Sequence, residues 1–258
     1  ILPVHNEAGM LRYTLPSVFK LQFHETIIIL DRCSDSTRDV IFQVWKICHE
    51  HSNLVLLEVK DRSDWRNHLN YLYDLGAQYA NGEILFFTQA DNLLDYKTIK
   101  KHITLAKGGM VSFSVSQHPH ITPWNSIITE ILTRLYRLFN LNGFSGLLAL
   151  DRQIYEQIRL TSNLETNFDG YLYQQIKQKG IPYVYIQTDT VNLRPCLRFT
   201  WKFNRRLWRL GIGKYKLGKP FWKVLLFSYM RLTPSVMVGY LQAKIRRGEI
   251  YAGNYFSV

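Results

Sequence analysis

The first 107 residues alternate between short apolar runs and stretches of helical spacing, and this alternation limits the fold more than any other feature. Residues 1–4 are apolar and end at His5-Asn6-Glu7, and residues 8–20 carry apolar positions at helical steps. Residues 26–30 are aliphatic and end at Asp31, with a helix expected over 37–49. Residues 54–59 read as a third strand, 65–79 as a helix stopped at Asn81-Gly82, and 83–88 as a fourth strand ending at Gln89-Ala90-Asp91-Asn92. Strands alternating with helices predict an α/β domain with a largely parallel sheet. Ligands of such sheets bind beyond the carboxyl ends of the strands. Polar side chains gather at three of those ends: His5/Asn6/Glu7, Asp31/Ser34/Asp35 and Gln89/Asp91/Asn92. The plainer reading is that they cap the following helices, and Ser34 or Ser36 is expected to do so. Capping explains Asp91 less well, because it closes the apolar run 84–87.

The second half adds an expected strand over 110–115 and a helix over 122–139, followed by a turn at Asn142-Gly143-Phe144-Ser145-Gly146. A strand over 147–150, a helix over 168–179 that closes at Gly180 and a strand over 181–187 complete the body. Charge divides the chain in two. Residues 1–193 hold 18 Lys/Arg against 19 Asp/Glu, whereas residues 194–248 hold 14 Lys/Arg and no acid. Nucleic acid, an anionic membrane and phosphorylated substrates all suit such a segment. Cys33, Cys48 and Cys196 make neither a disulfide framework nor a metal-binding spacing, so a reducing compartment is expected. No secretory leader pattern opens the chain, which starts inside a strand. No apolar run reaches the roughly 18 residues of a spanning helix; Lys223, Arg231 and Pro234 interrupt the nearest, 221–241. His118 and His120 have a spacing that could hold a metal, but a solvated loop explains them as well.

Five ordered motifs then become recognisable: Ile1-Leu2-Pro3-Val4-His5-Asn6-Glu7; the Asp31…Ser34-Asp35…Thr37 element; Gly76…Ala80-Asn81-Gly82-Glu83; Gln89-Ala90-Asp91; and Gly146…Arg152 with Phe168-Asp169. Together they resemble the family-2 glycosyltransferases. The resemblance implies an α/β, Rossmann-like GT-A nucleotide-diphospho-sugar transferase fold with a mostly parallel central sheet over residues 1–195. Residues 1–107 would form its nucleotide-binding half and 108–195 its acceptor half. Residues 196–258 would be a basic, aromatic, amphipathic helical extension. By position, Pro3, His5 and Glu7 would contact the nucleoside, and Asp31 would accept a base N–H. Asp91 would hold a Mg²⁺ or Mn²⁺ ion on the diphosphate of a UDP- or GDP-sugar. Asp169 would be the general base for an inverting displacement, with Glu165 as the alternative in a shifted register. Gly146 would allow close approach of the sugar or acceptor, or simply serve a turn.

Three departures stand out. Gln89 replaces the first Asp of the metal motif, Phe168 replaces the Glu before the base, and Asn192 stands near the usual metal- or diphosphate-binding His. A catalytically degenerate relative is therefore the alternative. In the extension, Arg194 and Arg198 suit a diphosphate or an acceptor phosphate. Trp201, Trp208, Phe221 and Trp222 among Lys and Arg suit a bilayer interface. The expectation is an enzyme peripheral to the cytoplasmic membrane face, acting on a glycan or polyprenyl-phosphate-type acceptor. The competing reading is that these helices pack on the catalytic body. Basic residues interleaved with aromatics also suit nucleic acid, but that reading leaves the five motifs unexplained.

Overall fold

The structure, a computed structural model, describes residues 1–48, 53–117, 147–162, 168–193, 205–216, 218–230 and 234–245. In chain order its elements are β1 (Leu2–Val4), α1 (Ala8–Phe19), β2 (Glu25–Asp31), α2 (Thr37–Ile47), β3 (Asn53–Val59), α3 (His68–Tyr79), β4 (Ile84–Phe87), β5 (Asn92–Leu93) and α4 (Tyr96–Lys107). Then follow β6 (Val111–Gln117), β7 (Leu148–Asp151), α5 (Arg152–Gln157), α6 (Phe168–Gln178), β8 (Tyr183–Asn192), α7 (Arg205–Lys216), α8 (Phe221–Met230) and α9 (Pro234–Ile245).

Residues 27–30 of β2 are all buried because the strand is covered on both faces. Successive side chains point to opposite faces. Ile27 and Ile29 pack with Leu72, Tyr73 and Ala77 of α3 and with Leu172 and Ile176 of α6. Ile28 and Leu30 pack with Leu11 and Leu15 of α1 and with Val40 and Ile41 of α2. Each such side chain contributes roughly 1.5–3 kcal/mol on burial, so β2 anchors both layers. Gly76 lets α3 lie close on the sheet, since a Cβ there would collide with the side chains of Ile1 and Ile29.

Strands β1, β2 and β3 form a parallel sheet, and β4-β7-β6-β8-β5 form a second, mixed one. In the second sheet β7 runs antiparallel to β4 and β6, β5 runs antiparallel to β8, and only β6 and β8 are parallel. Two hydrogen bonds stitch the sheets: Ile1 N donates to Phe86 O at 2.7 Å and Thr88 N to Ile1 O at 3.1 Å. This is the parallel pattern. Pro3, two residues on, has no N–H to continue it. The largely parallel expectation thus holds for β1 to β3 and gives way to a mixed sheet from β4 onward.

The C-terminal helices have a core of their own, with Leu207, Val224, Phe227, Val236 and Tyr240 at its centre. Helices α7 and α9 cross with their backbones touching. A Cβ on Gly211 would collide with Val236 O, and one on Gly239 with Trp208 O. Helix α7 has the expected amphipathic pattern. Helices α8 and α9 instead keep apolar residues on their exposed faces as well: Phe221, Trp222, Leu225 and Tyr229 on one, Val238, Leu241 and Ile245 on the other.

Candidate active site

The chain reverses direction of travel across the sheet between β1 and β4, with β2 and β3 on one side and β7 onward on the other. Such a switch opens a crevice at the carboxyl ends of the strands. The loops after β1 and β2 line its near side and are locked to each other. Asn6, at φ 52°, turns its Oδ1 to accept from Ser34 N at 2.8 Å and Asp35 N at 3.3 Å. Asp35 accepts from Ala8 N at 3.2 Å and from Thr37 N at 3.0 Å, bracing the first turns of α1 and α2. Burial pushes the Asp35 carboxyl up, but these hydrogen bonds outweigh it and hold the group below the usual carboxylate range. Neither Ser34 nor Ser36 caps α2 as expected. Ser36 makes no side-chain capping bond, and Asp35 does that work because it can reach two helices at once.

Asp31 is buried at the end of β2. Its Oδ1 accepts from Arg32 Nε at 2.8 Å and from His68 Nε2 at 2.9 Å, and its Oδ2 accepts from Arg32 Nη2 at 3.1 Å. The tautomer of His68 follows from its other nitrogen. Nδ1 accepts from Ser63 N at 3.0 Å, so the proton sits on Nε2 and is donated to Asp31. Burial raises the Asp31 carboxyl, yet the bonds from Arg32 and His68 together hold it below the ordinary range. His5 lies across the loop, its Nδ1–H donating to the Asp31 carbonyl at 2.6 Å. Pro3 sits opposite Ile29 in the sheet, and Glu7 starts α1 with its N–H donated to Thr37 Oγ1 at 2.8 Å. The sequence reading missed His68 and Arg32. The signal was present, because β3 also ends at the crevice and its polar run, residues 60–68, leads straight to His68.

Asp91, Asp169 and Tyr73 occupy the far side. Gln89 is exposed, whereas Asp91 is buried two residues later. The Asp91 carbonyl accepts from Leu193 N at 2.8 Å, which draws the end of β8 alongside. Asn192, where the family pattern suggests a His, donates through Nδ2 to Asn92 Oδ1 at 3.0 Å. Asp169 opens α6, and its Oδ1 accepts from Gly170 N at 2.8 Å. It keeps some exposed surface but is surrounded by protein on most sides. Burial pushes its carboxyl above the ordinary range, against the Gly170 N–H and the charge of Lys214 on α7. Tyr73 feels the charge of both acids. Its ring stacks on Phe168 at a centroid distance of 4.3 Å, and its hydroxyl donates to Thr88 O at 3.3 Å. Burial raises its pKa, and both Asp169 and Asp91 raise it further, so the two carboxylates lie within electrostatic reach of one phenol.

Not every motif faces the crevice. Arg152 donates from Nε to Gly82 O at 3.0 Å and from Nη2 to Ala80 O, while Glu25 accepts from the N–H groups of Asn81 and Gly82. This clamp holds the turn that enters β4, at the amino ends of the strands. Gly146, Arg194, Arg198, Glu165, His118 and His120 lie outside the described residues, as does the expected 122–139 helix. The C-terminal helices do reach the body. Lys219 Nζ sits 5.0 Å from the ring centre of Tyr173, which is one turn along α6 from Asp169.

The donor set for a cation is sparse: one buried carboxylate, Asp91, and one amide, Gln89. Among the described residues no three His, Cys, Asp or Glu side chains gather to hold a metal ion. Magnesium and manganese keep several waters and can be completed by substrate phosphates. The described residues therefore fit an ion carried on a diphosphate.

Comparisons with known proteins agree with this fold. A mannosyltransferase from Pyrobaculum calidifontis, solved with GDP-Man and Mn²⁺, superposes with a TM-score of 0.61 at 15% identity, covering 97% of this chain and 75% of its own. S. aureus TarS (residues 1–349) gives 0.54 at 12% identity, covering 96% and 72%. Its complex with UDP-GlcNAc gives 0.52 at 11%, covering 87% and 65%. At these identities the likeness is one of fold. No curated protein sequence matches significantly. The family profile described as glycosyl transferase family 2 matches residues 1–155, well over half of the chain, and the protein is therefore a glycosyltransferase of family 2.

Proposed function

We propose that the enzyme is an inverting transferase that moves a sugar from a nucleoside-diphosphate donor to a lipid phosphate or lipid-linked glycan at an anionic membrane surface. The observation that supports this best is the set of buried acids at the ends of the strands and the start of α6: Asp31 held ionised by Arg32 and His68, Asp91 buried just beyond β4, and Asp169 opening α6 with its carboxyl shifted up by burial. In this reading Asp31 binds the base, and the loop of Pro3, His5 and Glu7 lies along the nucleoside. The diphosphate then reaches Asp91 and Gln89, with Arg194 and Arg198 beside it or beside an acceptor phosphate. A Mg²⁺ or Mn²⁺ ion arriving with the donor would offset charge on the leaving diphosphate. Asp169 takes the proton of the attacking hydroxyl. Its raised pKa suits it to that task, since a base works best with a pKa near the working pH.

The membrane part of the proposal rests on α8 and α9. Their exposed apolar side chains stand beside cations: Lys223 Nζ lies 5.3 Å from the Trp222 ring centre and Lys244 Nζ 5.6 Å from that of Phe221. Each basic residue near an anionic surface is worth about 1 kcal/mol. No described helix is long and apolar enough to cross a membrane. In this reading the helices lie on the anionic cytoplasmic face. The test is transfer from UDP-, GDP- and dTDP-sugars to polyprenyl phosphate in phosphatidylglycerol vesicles, with and without EDTA, alongside salt-dependent sedimentation with the vesicles. Transfer that needs both lipid phosphate and divalent cation, with binding that weakens as salt rises, is expected. Transfer to soluble sugars without vesicle binding overturns the acceptor and membrane assignment.

A further inference from the structure

The Asp31 carboxylate is nearly full before any ligand arrives, and the lone pair left over decides which base it can read. Each carboxylate oxygen offers about two lone-pair sites. Oδ1 spends both, on Arg32 Nε at 2.8 Å and His68 Nε2 at 2.9 Å. Oδ2 accepts only Arg32 Nη2, at 3.1 Å, and keeps one site. His68 is firmly placed, whereas the Arg32 side chain is 39% exposed and is held to Asp31 by its two hydrogen bonds. The His68 side chain is 11% exposed, is held at Nδ1 by Ser63 N and stacks on Tyr71 at 5.8 Å. Arg32 is fixed at its backbone by a φ of 46° and by its N–H, which donates to Val59 O at 2.8 Å.

We propose that Arg32 and His68 make this a site for a pyrimidine imide, uracil or thymine, and disfavour guanine. The inference rests on reading this end of the crevice as the nucleoside end of the donor site. An imide edge presents a single N–H between two keto oxygens. That N–H matches the one open site on Oδ2, and Arg32, which has five N–H donors and spends two on Asp31, has donors left for a keto oxygen beside it. Guanine presents a keto oxygen, an N–H and an amino group in a row. Its two adjacent donors need both carboxylate oxygens, and Oδ1 has no site left unless Arg32 leaves. Cytosine presents a bare ring nitrogen, which would face the negative Oδ2. Arg32 therefore acts as a specificity-determining residue by occupying the oxygen that a second base donor would need.

Calorimetric titration of the full chain with UDP, dTDP, GDP, IDP and CDP, each with Mg²⁺, tests this. An unmet donor or acceptor in such a site weakens binding by about tenfold or more, so UDP and dTDP should bind at least that much more tightly than GDP or CDP. IDP has the size of GDP but lacks its amino group. It should recover affinity over GDP, which separates the lone-pair argument from exclusion of purines by size. In Arg32→Ala both oxygens of Asp31 open, and the preference for UDP over GDP should shrink. GDP binding as tightly as UDP, IDP binding no better than GDP, or a preference unchanged in a folded Arg32→Ala each overturns the proposal. The IDP comparison needs no variant. Failure of every nucleotide to bind overturns the donor-site reading itself, and selective loss of the UDP preference overturns only this inference.

Discussion

Asp31 and Asp169 are both withdrawn from water, and the protein shifts them in opposite directions. Asp31, at the end of β2, accepts three hydrogen bonds from a guanidinium and an imidazole, and these overcome the effect of burial. Asp169, at the start of α6, has burial set against the backbone N–H groups of Gly170 and Asp169 and the charge of Lys214, and burial prevails. The difference shows that burial alone does not set the charge of an acid; the donors placed around it do. A carboxylate that reads a base must stay ionised and fixed. One that takes a proton must hold it less reluctantly.

The largest expected effect comes from breaking the second member of the pair. Asp169→Asn should cut transfer by about 10²–10⁴-fold, the usual contribution of a positioned base, while UDP binding measured by calorimetry stays within twofold. Wild-type turnover in that variant would remove Asp169 from the mechanism. Stability should move the other way. A raised folded pKa means that the native state holds the Asp169 proton more tightly than the unfolded chain does. That contribution is complete below the unfolded pKa and is lost as pH rises through the folded one. At pH 7 the neutral Asn should thus leave the Tm unchanged or higher.

The same isosteric change at Asp31 should do the reverse. Its lowered folded pKa contributes stability above the unfolded pKa, which is lost as pH falls through the folded one. Asp31→Asn should therefore lower the Tm at pH 7. It should also weaken UDP binding by roughly 10–100-fold, the range for losing a charge-assisted hydrogen bond, with a smaller effect on the turnover of bound donor. Equal Tm changes in the two Asn variants would show that the opposite shifts are not there.

The two sides of this comparison were not equally visible in the sequence. The strands β2 and β4 were, because an apolar run that ends at or just before an acid, Asp31 or Asp91, marks both the element and its carboxyl end. Asp169 was visible only through family resemblance, since nothing in the helical pattern of 168–179 sets it apart. Tyr73, which feels the charge of both Asp169 and Asp91, looks from the sequence like any aromatic on a helix facing the core. His68 depends on how α3 crosses back over β2, a relation between elements far apart in sequence. The expected start of that helix at Trp65 was three residues early, because Arg66 N donates to Ser162 O instead of entering the helix ladder. The two-residue β5 has no periodicity to detect and exists because β8 passes beside it.

Lys214 offers the finest adjustment of the comparison. It belongs to α7, yet its charge reaches Asp169 and opposes the effect of burial there. Its ammonium also lies 3.9 Å from the ring centre of Phe227, a residue in the core of the C-terminal helices. Asp169 must be ionised to act as a base, so transfer should rise with pH through its raised pKa and form the acid limb of the rate profile. Lys214→Met keeps most of the side-chain bulk and removes the charge. The acid limb should then move to higher pH, while the rate on the plateau changes little. The displacement should be small, because the lysine is partly exposed and solvent screens it. It should also shrink in wild type as salt rises, since the Debye length falls from about 10 Å at 0.1 M to about 3 Å at 1 M. A limb that stays in place in Lys214→Met would mean that the C-terminal helices tune the base by packing alone. A limb that moves, and that high salt reproduces in wild type, would make the basic segment part of the catalytic electrostatics.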